Sequence, residues 1–161
     1  MIQLVMEQLQ PAVNKVVIVS GNPGYKKFGA EVIDDLIKNT GPAGGIYSAL
    51  SHTDTHRIFI VSCDMPFINT HAIEYMVQNS AQSQITLPCL HEKIEPLFGV
   101  YSKECLVKWK ELIQKGITKL QNIVTCFKLQ KLCIDDNILF NDWLFVNIND
   151  MNDYKKAAKQ E

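Results

Sequence analysis

The chain has 161 residues, of which 47% are hydrophobic and 20% are charged; this is enough to bury one core, so we expect a single domain over residues 1–161. The formal net charge is −1 and no run of lysine or arginine stands out, which argues against a nucleic-acid duplex or an anionic membrane as partner. The chain has five cysteines without C-x-x-C spacing, which argues against a disulfide framework or a zinc site. The sequence shows no signal peptide and no apolar stretch of about 20 residues. We therefore expect a cytoplasmic protein with reduced thiols.

The first elements are an amphipathic helix and a buried strand. Residues 1–10 repeat apolar side chains at helical spacing, and Pro11 ends the helix. Residues 16–19 are a β-branched run typical of a buried parallel strand, and the turn at residues 20–24 follows its carboxyl end. Asn22 in that turn either makes its own backbone turn or uses its amide to contact a base or ribose.

A short strand at residues 32–33 ends at Asp34 and Asp35, two carboxylates that are usually solvated at such a position. The aspartates precede a glycine-rich loop. Gly44 and Gly45 remove side chains where the backbone enters a helix, so that the free amides of the first turn can face an anion. A plain turn and helix entry is the alternative interpretation.

Asp64 follows a second apolar strand. Residues 58–61 form a continuous apolar run, as expected when both faces of a sheet are covered, and Asp64 comes just past the carboxyl end, where open α/β sheets bind ligands. An aspartate there can hold Mg²⁺, which prefers oxygen ligands. Asp64-Met65-Pro66 can equally be a turn in which Pro66 sets φ.

Residues 69–101 predict a helix followed by a sheet segment. Asn69 or Thr70 can cap the helix. Three segments follow it: a strand at 85–87 stopped by Pro88, a polar and irregular loop at 89–96 that can also be a hairpin-like connection, and a strand at 97–101.

The next part of the chain predicts two helices and an edge strand. The first helix runs from Ser102 and ends at Gly116. The second opens with Thr118-Lys119-Leu120-Gln121, which fits a capping box and places Lys119 in the first turn. Lys119 there is either a surface lysine or a partner for a nearby anion. Residues 127–135 alternate like an edge strand.

Two asparagines close the last strong pattern. Residues 143–149 predict an apolar strand in which Asn147 and Asn149 point to one sheet face, and an acidic stretch then starts a carboxyl-terminal helix. Helix capping by Asn149 or Asp150 explains one asparagine but leaves Asn147 without a role.

The alternation of apolar strands with amphipathic helices predicts an α/β fold. We expect a three-layer sandwich with a mostly parallel, Rossmann-like sheet and helices on both faces. Its strands include residues 16–19, 58–61 and 97–101, and residues 58–61 are expected in the interior of the sheet.

Taken together, these motifs resemble the molybdenum cofactor guanylyltransferases, which are MobA-like nucleotidyltransferases. That family has a Gly-Pro-x-x-Gly loop and then an apolar strand ending in Asp-x-Pro, here residues 41–45 and 64–66. Glu-Pro-Leu at residues 95–97 and the Asn147-x-Asn149 pair also match, although the family's Thr-Pro-Glu after the second asparagine is absent. The resemblance runs over nearly the whole chain.

The resemblance implies a fold like that of the nucleotide-diphospho-sugar transferases and a reaction that transfers GMP from GTP to the phosphate of molybdopterin, releasing pyrophosphate. It implies Mg²⁺ as cofactor, GTP and molybdopterin as partners, and we expect a monomer. Asp64 is implied as the catalytic, metal-binding residue. The implied nucleotide-binding residues are Asn22, Asp35, Gly41, Pro42, Gly44 and Gly45. The implied residues near the second substrate or the metal are Lys119, Asn147 and Asn149, with the loop at residues 89–96 beside the second substrate.

The family normally opens with a strand and a glycine-rich loop that wraps the triphosphate, and this pattern is not found before residue 16. We therefore expect an unpaired edge at residues 16–19 or on a neighbouring strand, and little or no guanylyltransferase activity from these 161 residues alone. Two alternatives stay open. One is another nucleotidyltransferase of this fold that uses CTP or a sugar phosphate, and the other is a non-catalytic remnant that binds a ligand or a partner.

Overall fold

The computed structural model describes residues 1–80, 82–141 and 143–148. Its α-helices are α1 (Ile2–Leu9), α2 (Pro42–His52), α3 (Thr70–Gln78), α4 (Leu106–Gln114) and α5 (Leu120–Val124). Its strands are β1 (Val17–Val19), β2 (Glu31–Ile33), β3 (Arg57–Val61), β4 (Ile85–Leu90), β5 (Lys93–Ile94), β6 (Phe98–Ser102) and β7 (Leu129–Cys133). Two short 3-10 helices cover Pro23–Phe28 and Lys103–Cys105. Within the described ranges, no helix combines the length and the apolar character that crossing a membrane requires.

The strands form two sheets. β1 and β2 pair in parallel as a two-stranded sheet. The larger sheet has the order β3-β6-β4-β5, and β7 pairs in parallel with β4 on the side opposite to β6. β6 is antiparallel to both β3 and β4, so β3, β4 and β7 share one direction and β6 runs against them. The α/β class is confirmed, but the larger sheet is mixed, because the β4–β5 hairpin returns the chain before β6 begins.

The position of β3 differs from the expectation. Within residues 1–80, 82–141 and 143–148, β3 pairs with β6 alone and β1 pairs with β2 alone. The prediction that residues 58–61 lie inside the sheet was therefore wrong, and all five β3 residues are half-buried rather than buried. The prediction of an unpaired edge at β1 or a neighbouring strand is confirmed.

Helices cover both faces of the larger sheet and make three layers. Alternate β6 side chains point to opposite faces, since Tyr101 packs with α2, α4 and α5 whereas Phe98 and Val100 pack with α1 and α3. Residues 134–141 and 143–148 complete the second face through Ile134, Phe140 and Leu144, which are at most 5% exposed. The apolar core thus lies on both sides of β3, β4 and β6.

Local signals explain most of the element boundaries. The Asn69 side chain accepts the Ala72 N–H at 2.8 Å and caps α3, as the sequence predicted. Gly116 has a φ of 78°, and the chain leaves α4 through this left-handed position, as the glycine predicted. The capping box at Thr118 was wrong, because α5 starts at Leu120 with Lys119 as its N-cap and no side-chain cap bond.

Two segments of the predicted sheet differ from the structure. The prediction that Pro88 stops the strand was wrong, because β4 continues to Leu90. The β4–β6 ladder ends at Thr86 and the β4–β5 ladder begins at Cys89. Proline has no backbone N–H to donate, and Pro88 falls between these two ladders, where none is needed. Residues 89–96 are not an irregular loop; they contain a hairpin, which confirms the alternative interpretation of this segment.

His91 and Glu92 form the two-residue turn of that hairpin, with φ values of 47° and 64°. At the other end of the chain, the predicted strand at residues 143–149 was wrong in the part that the structure describes. Residues 143–145 form a turn and residues 146–148 have no regular structure. The predicted carboxyl-terminal helix lies outside the described residues.

Candidate active site

Asp64 lies in a turn that is anchored on two sides. The Ser62 N–H donates to the carbonyl oxygen of Leu97 at 3.0 Å, which fixes the turn to the segment before β6. The Asp64 carbonyl oxygen accepts the Ile148 N–H at 2.7 Å, and the next residue, Met65, is only 1% exposed. The backbone at Asp64 is therefore held between residues 95–98 and residues 143–148.

One carboxylate oxygen of Asp64 has no partner. Asp64 Oδ1 is buried and accepts no hydrogen bond from the residues that the structure describes. A buried carboxylate oxygen without a donor is costly, because water that solvated it has been removed. An oxygen-seeking cation such as Mg²⁺ fits this oxygen, since it replaces the missing donor and is commonly held by one or two carboxylates together with substrate phosphates.

Glu95 supplies a second carboxylate near Asp64. Its Oε1 accepts the Leu97 N–H at 3.0 Å. Burial raises the pKa of Glu95 above its ordinary value, and the negative charge of Asp64 raises it further. Two carboxylates whose charges interact in a half-buried place favour a bound cation.

A buried hydrogen bond from Tyr101 fixes the backbone of the loop that carries Glu95. The Tyr101 hydroxyl donates to the Pro96 carbonyl oxygen at 2.5 Å, and Tyr101 is completely buried. Burial raises the Tyr101 pKa well above its ordinary value, so this hydroxyl keeps its proton and remains a donor. The sequence carried Glu95 within its Glu-Pro-Leu motif but did not mark it as a site residue; only the fold brings it within range of the Asp64 charge.

Asn147 is brought close to Asp64 through its neighbour. Ile148 makes the backbone hydrogen bond to Asp64, and the Trp143 ring meets Phe67 edge-on at 6.4 Å between centroids. The Asn147 side chain itself is exposed. Asn149 lies outside the described residues, so its predicted role stays a prediction.

Asp35 belongs to a second group of residues, which joins the loop after β2 to α2. Its Oδ1 accepts the Ser48 hydroxyl at 2.9 Å, and the same hydroxyl oxygen accepts the Leu36 N–H at 2.9 Å. Ser48 is completely buried in α2. The sequence did not single out Ser48, because a lone serine thirteen positions after an aspartate has no recognisable pattern.

The start of α2 has the open geometry that the glycine-rich loop predicted. Gly41 has φ 58° and ψ −148°, a backbone conformation that residues other than glycine rarely adopt. Pro42 occupies the first turn, and no side-chain cap bond is described for this helix start. The Trp109 Nε1–H donates to the Ala43 carbonyl oxygen at 2.9 Å, which fixes the first turn to α4.

The two glycines in the first turn of α2 have different surroundings. A Cβ on Gly44 would lie 2.3 Å from Thr40 Oγ1 and 2.6 Å from the Ile37 carbonyl oxygen. A Cβ on Gly45 would meet nothing within 4 Å. Gly44 is thus required by the packing of the loop against the helix, whereas the bare backbone at Gly45 faces open space that a ligand can approach.

The side chains of Asn22 and Lys119 make no described hydrogen bond to either of these two groups. The Asn22 Oδ1 accepts the Gly24 N–H at 2.9 Å and caps the 3-10 helix, which is the backbone-turn role, so its Nδ2 donor is the group left for a ligand. Lys119 is exposed at the start of α5. Among the described residues, no hydrogen bond or ion pair connects the Lys119 side chain with the other candidate residues.

Solved structures share this fold. The chain superposes on molybdopterin-guanine dinucleotide biosynthesis protein A from Archaeoglobus fulgidus with a TM-score of 0.80 and 25% identity, covering 99% of this chain and 84% of that one. It also superposes on 4-diphosphocytidyl-2C-methyl-D-erythritol synthase from Anaerococcus prevotii with a TM-score of 0.77 and 6% identity, covering 99% and 84% of the two chains, a likeness of fold alone. The fold is therefore that of the nucleotide-diphospho-sugar transferases, and the class of protein is nucleotidyltransferase.

Sequence comparison narrows the class to a family. The MobA-like NTP transferase domain matches residues 1–131. A probable molybdenum cofactor guanylyltransferase of Clostridium perfringens is 32% identical over 156 residues, which cover 91% of this chain and 77% of the relative. The molybdenum cofactor guanylyltransferase of Syntrophotalea carbinolica is 28% identical, covering 96% and 76%. The chain belongs to the MobA-like NTP transferase family, and the resemblance first seen in its motifs is confirmed.

Proposed function

We propose that this chain is the catalytic domain of a molybdenum cofactor guanylyltransferase, which transfers GMP from GTP to the phosphate of molybdopterin. A phosphate oxygen of the acceptor attacks the α-phosphorus of GTP, the bond between the α-phosphorus and the bridging oxygen breaks, and pyrophosphate leaves. The family supports the reaction class, and the relatives' names support the substrates. The observation that carries the proposal is the buried, partnerless Oδ1 of Asp64 beside Glu95.

We assign the metal to Asp64. Asp64 Oδ1 would hold Mg²⁺, with Glu95 and Asn147 near it, and Mg²⁺ neutralises negative charge on the phosphates when it is bound. Glu95 adds a second carboxylate to this region and is itself held by the Leu97 N–H. The anchored backbone at Asp64 keeps the carboxylate in place without rearrangement, which is how such transfers gain most of their rate.

We place the nucleotide along the start of α2. The residues of this group are Asn22, Asp35, Gly41, Pro42, Gly44 and Gly45. Gly45 leaves room for phosphate oxygens to reach the first-turn amides, and the helix dipole favours negative charge there. Asp35 offers carboxylate acceptors that suit the N1–H and amino group of guanine, a donor pair that adenine does not present.

We place the second substrate on the other side of Asp64. The family resemblance puts three residues on this side: Glu95, Asn147 and Asn149. For Glu95 the charge interaction with Asp64 also supports this placement, and for Asn147 the hydrogen bond of its neighbour Ile148 to Asp64 does so. Lys119 is proposed to approach the acceptor phosphate once the substrate is bound, because its ammonium is exposed and its long stem is mobile.

Calorimetric titration of this chain with Mg-GTP, Mg-CTP and Mg-ATP tests the proposal, with Asp64→Asn as the matched control. Binding of GTP alone, lost in the variant, supports the guanylyltransferase. Preference for CTP would point instead to another nucleotidyltransferase of this fold. Failure to bind any of the three would favour a non-catalytic remnant. Turnover with GTP and molybdopterin, compared with a full-length relative, then tests the prediction that these 161 residues have little activity alone.

A further inference from the structure

Two cysteines face each other across neighbouring strands. β4 and β7 pair in parallel, and Cys89 and Cys133 are register partners in this ladder. Neighbouring strands lie about 4.7–4.9 Å apart, and a disulfide joins Cα atoms that are about 4.4–6.8 Å apart. Both cysteines are free thiols, so the backbone spacing permits a bond that has not been made.

The two thiols lie on the same face of the sheet. Side chains alternate along a strand, and the odd-numbered positions Ile85, Leu87 and Leu129 all pack into the core beneath α2 and α4. Cys89 and Cys133 continue these two rows. Burial raises the pKa of the Cys89 thiol, and a charge on Cys133 raises it further, as expected for sulfur atoms close together.

The two cysteines differ in access to solvent, which gives the reaction an order. Cys133 is exposed, whereas Cys89 is 8% exposed. A small disulfide such as glutathione disulfide can therefore reach Cys133, whose thiolate attacks one sulfur and releases a first glutathione thiolate. The Cys89 thiolate then attacks the Cys133 sulfur and releases the second. The protein loses two electrons and two protons, and glutathione disulfide becomes two glutathione thiols.

We propose that Cys89 and Cys133 are a redox modification site, which forms a reversible cross-strand disulfide with a small-molecule disulfide as oxidant. The strand spacing lies near the short end of the range for disulfides, which favours a bond that thiols readily reduce again. The bond ties the carboxyl end of β4, which leads to the Glu95 loop, to the end of β7, which leads to residues 134–148. It therefore clamps together the two segments that border Asp64.

The test uses the full, reduced chain and glutathione disulfide. We expect peptide mapping to find a single crosslink, between Cys89 and Cys133, while the exposed Cys63 can carry at most a glutathione adduct. The melting temperature of the oxidised chain is expected to rise by several degrees and to return to the starting value after reduction. Cys126→Ser, the matched control at a half-buried thiol just after α5, should form the same crosslink.

Cys89→Ser separates the two steps. This variant should keep one glutathione on Cys133, because the resolving thiol is gone, while the wild type does not accumulate the adduct. The inference is overturned if wild-type Cys133 retains glutathione beside a free Cys89. It is equally overturned if the crosslink forms only in denaturant or joins two chains. None of these readouts depends on nucleotide transfer, so failure here leaves the proposed function untouched.

Discussion

The neighbouring glycines at the start of α2 allow packing and ligand contact to be separated by two single substitutions. Gly44→Ala places a methyl group 2.3 Å from Thr40 Oγ1 and 2.6 Å from the Ile37 carbonyl oxygen, two atoms already joined by a 2.7 Å hydrogen bond. Gly45→Ala places the same group in open space. The chemical change and the helix are the same in both variants.

The expected stability changes have opposite signs. For Gly44→Ala, overpacking costs about 1–3 kcal/mol. Disturbing the Thr40 hydrogen bond costs about 1 kcal/mol, and alanine returns about 1 kcal/mol of helix propensity. The net loss of about 2 kcal/mol lowers the melting temperature by about 4–8 °C in a chain of this size. Gly45→Ala has no clash, so its gain of about 0.5–1 kcal/mol raises the melting temperature by about 1–4 °C.

The expected effects on nucleotide binding do not follow the effects on stability. Gly45→Ala should weaken Mg-GTP binding by about tenfold, because a methyl group keeps phosphate oxygens from the amides and a charge-assisted hydrogen bond is worth at least about 1.5 kcal/mol. Thermal unfolding and calorimetric titration of both variants measure the two effects. A Gly44→Ala variant as stable as the wild type would refute the packing argument, and unchanged GTP affinity in Gly45→Ala would show that the nucleotide does not approach this turn.

Three further substitutions test the remaining contacts. Asp64→Asn should abolish most Mg²⁺ binding, measured by calorimetry, without lowering the melting temperature, because the amide replaces a buried charge that lacks a donor; near-normal metal affinity would contradict the assignment. The Glu95 pKa is raised above 4.5 in the folded chain, which means that protonated Glu95 favours the folded state. This contribution to stability is complete below pH 4.5 and is lost as the pH rises through the raised pKa. Glu95→Gln should therefore melt higher than the wild type at neutral pH, with the difference closing towards pH 4; a difference that does not change with pH would contradict this linkage. Ser48→Ala should lose about 1–3 kcal/mol in urea unfolding, because Asp35 and the part-buried Leu36 N–H lose the hydroxyl of the fully buried Ser48; a loss below about 0.5 kcal/mol would show that water replaces the hydroxyl.

Local chemistry in the sequence was enough to place most helices and the turn at Asp64. Asn69 carries its cap in its own side chain, and Gly41 has a backbone conformation that glycine alone readily adopts. Such signals act over a few residues and can be recognised without knowing the partner elements. The same holds for the apolar runs at β1, β3 and β6, which the sequence identified as strands.

Strand direction and neighbours could not be predicted in the same way. An apolar run shows that a strand is covered, but it does not show which strand pairs with it, and so β6 was expected in a mostly parallel sheet and β3 in its interior. Glu95 and Ser48 illustrate the same limit at the site. Glu95 interacts with Asp64 across 31 positions of sequence, and Ser48 becomes the partner of Asp35 only because α2 packs against the loop.

The two tryptophans of the chain occupy places with different optical properties. Trp109 is completely buried, and its indole donates to the Ala43 carbonyl oxygen, so its emission is shielded from aqueous quenchers and changes when the core unfolds. Trp143 is half-buried against Phe67, in the segment that is hydrogen-bonded to Asp64. Intrinsic fluorescence therefore contains two separable signals. A blue-emitting, unquenched component reports on the folded core, and a solvent-sensitive component reports on the surroundings of Asp64 without any attached label.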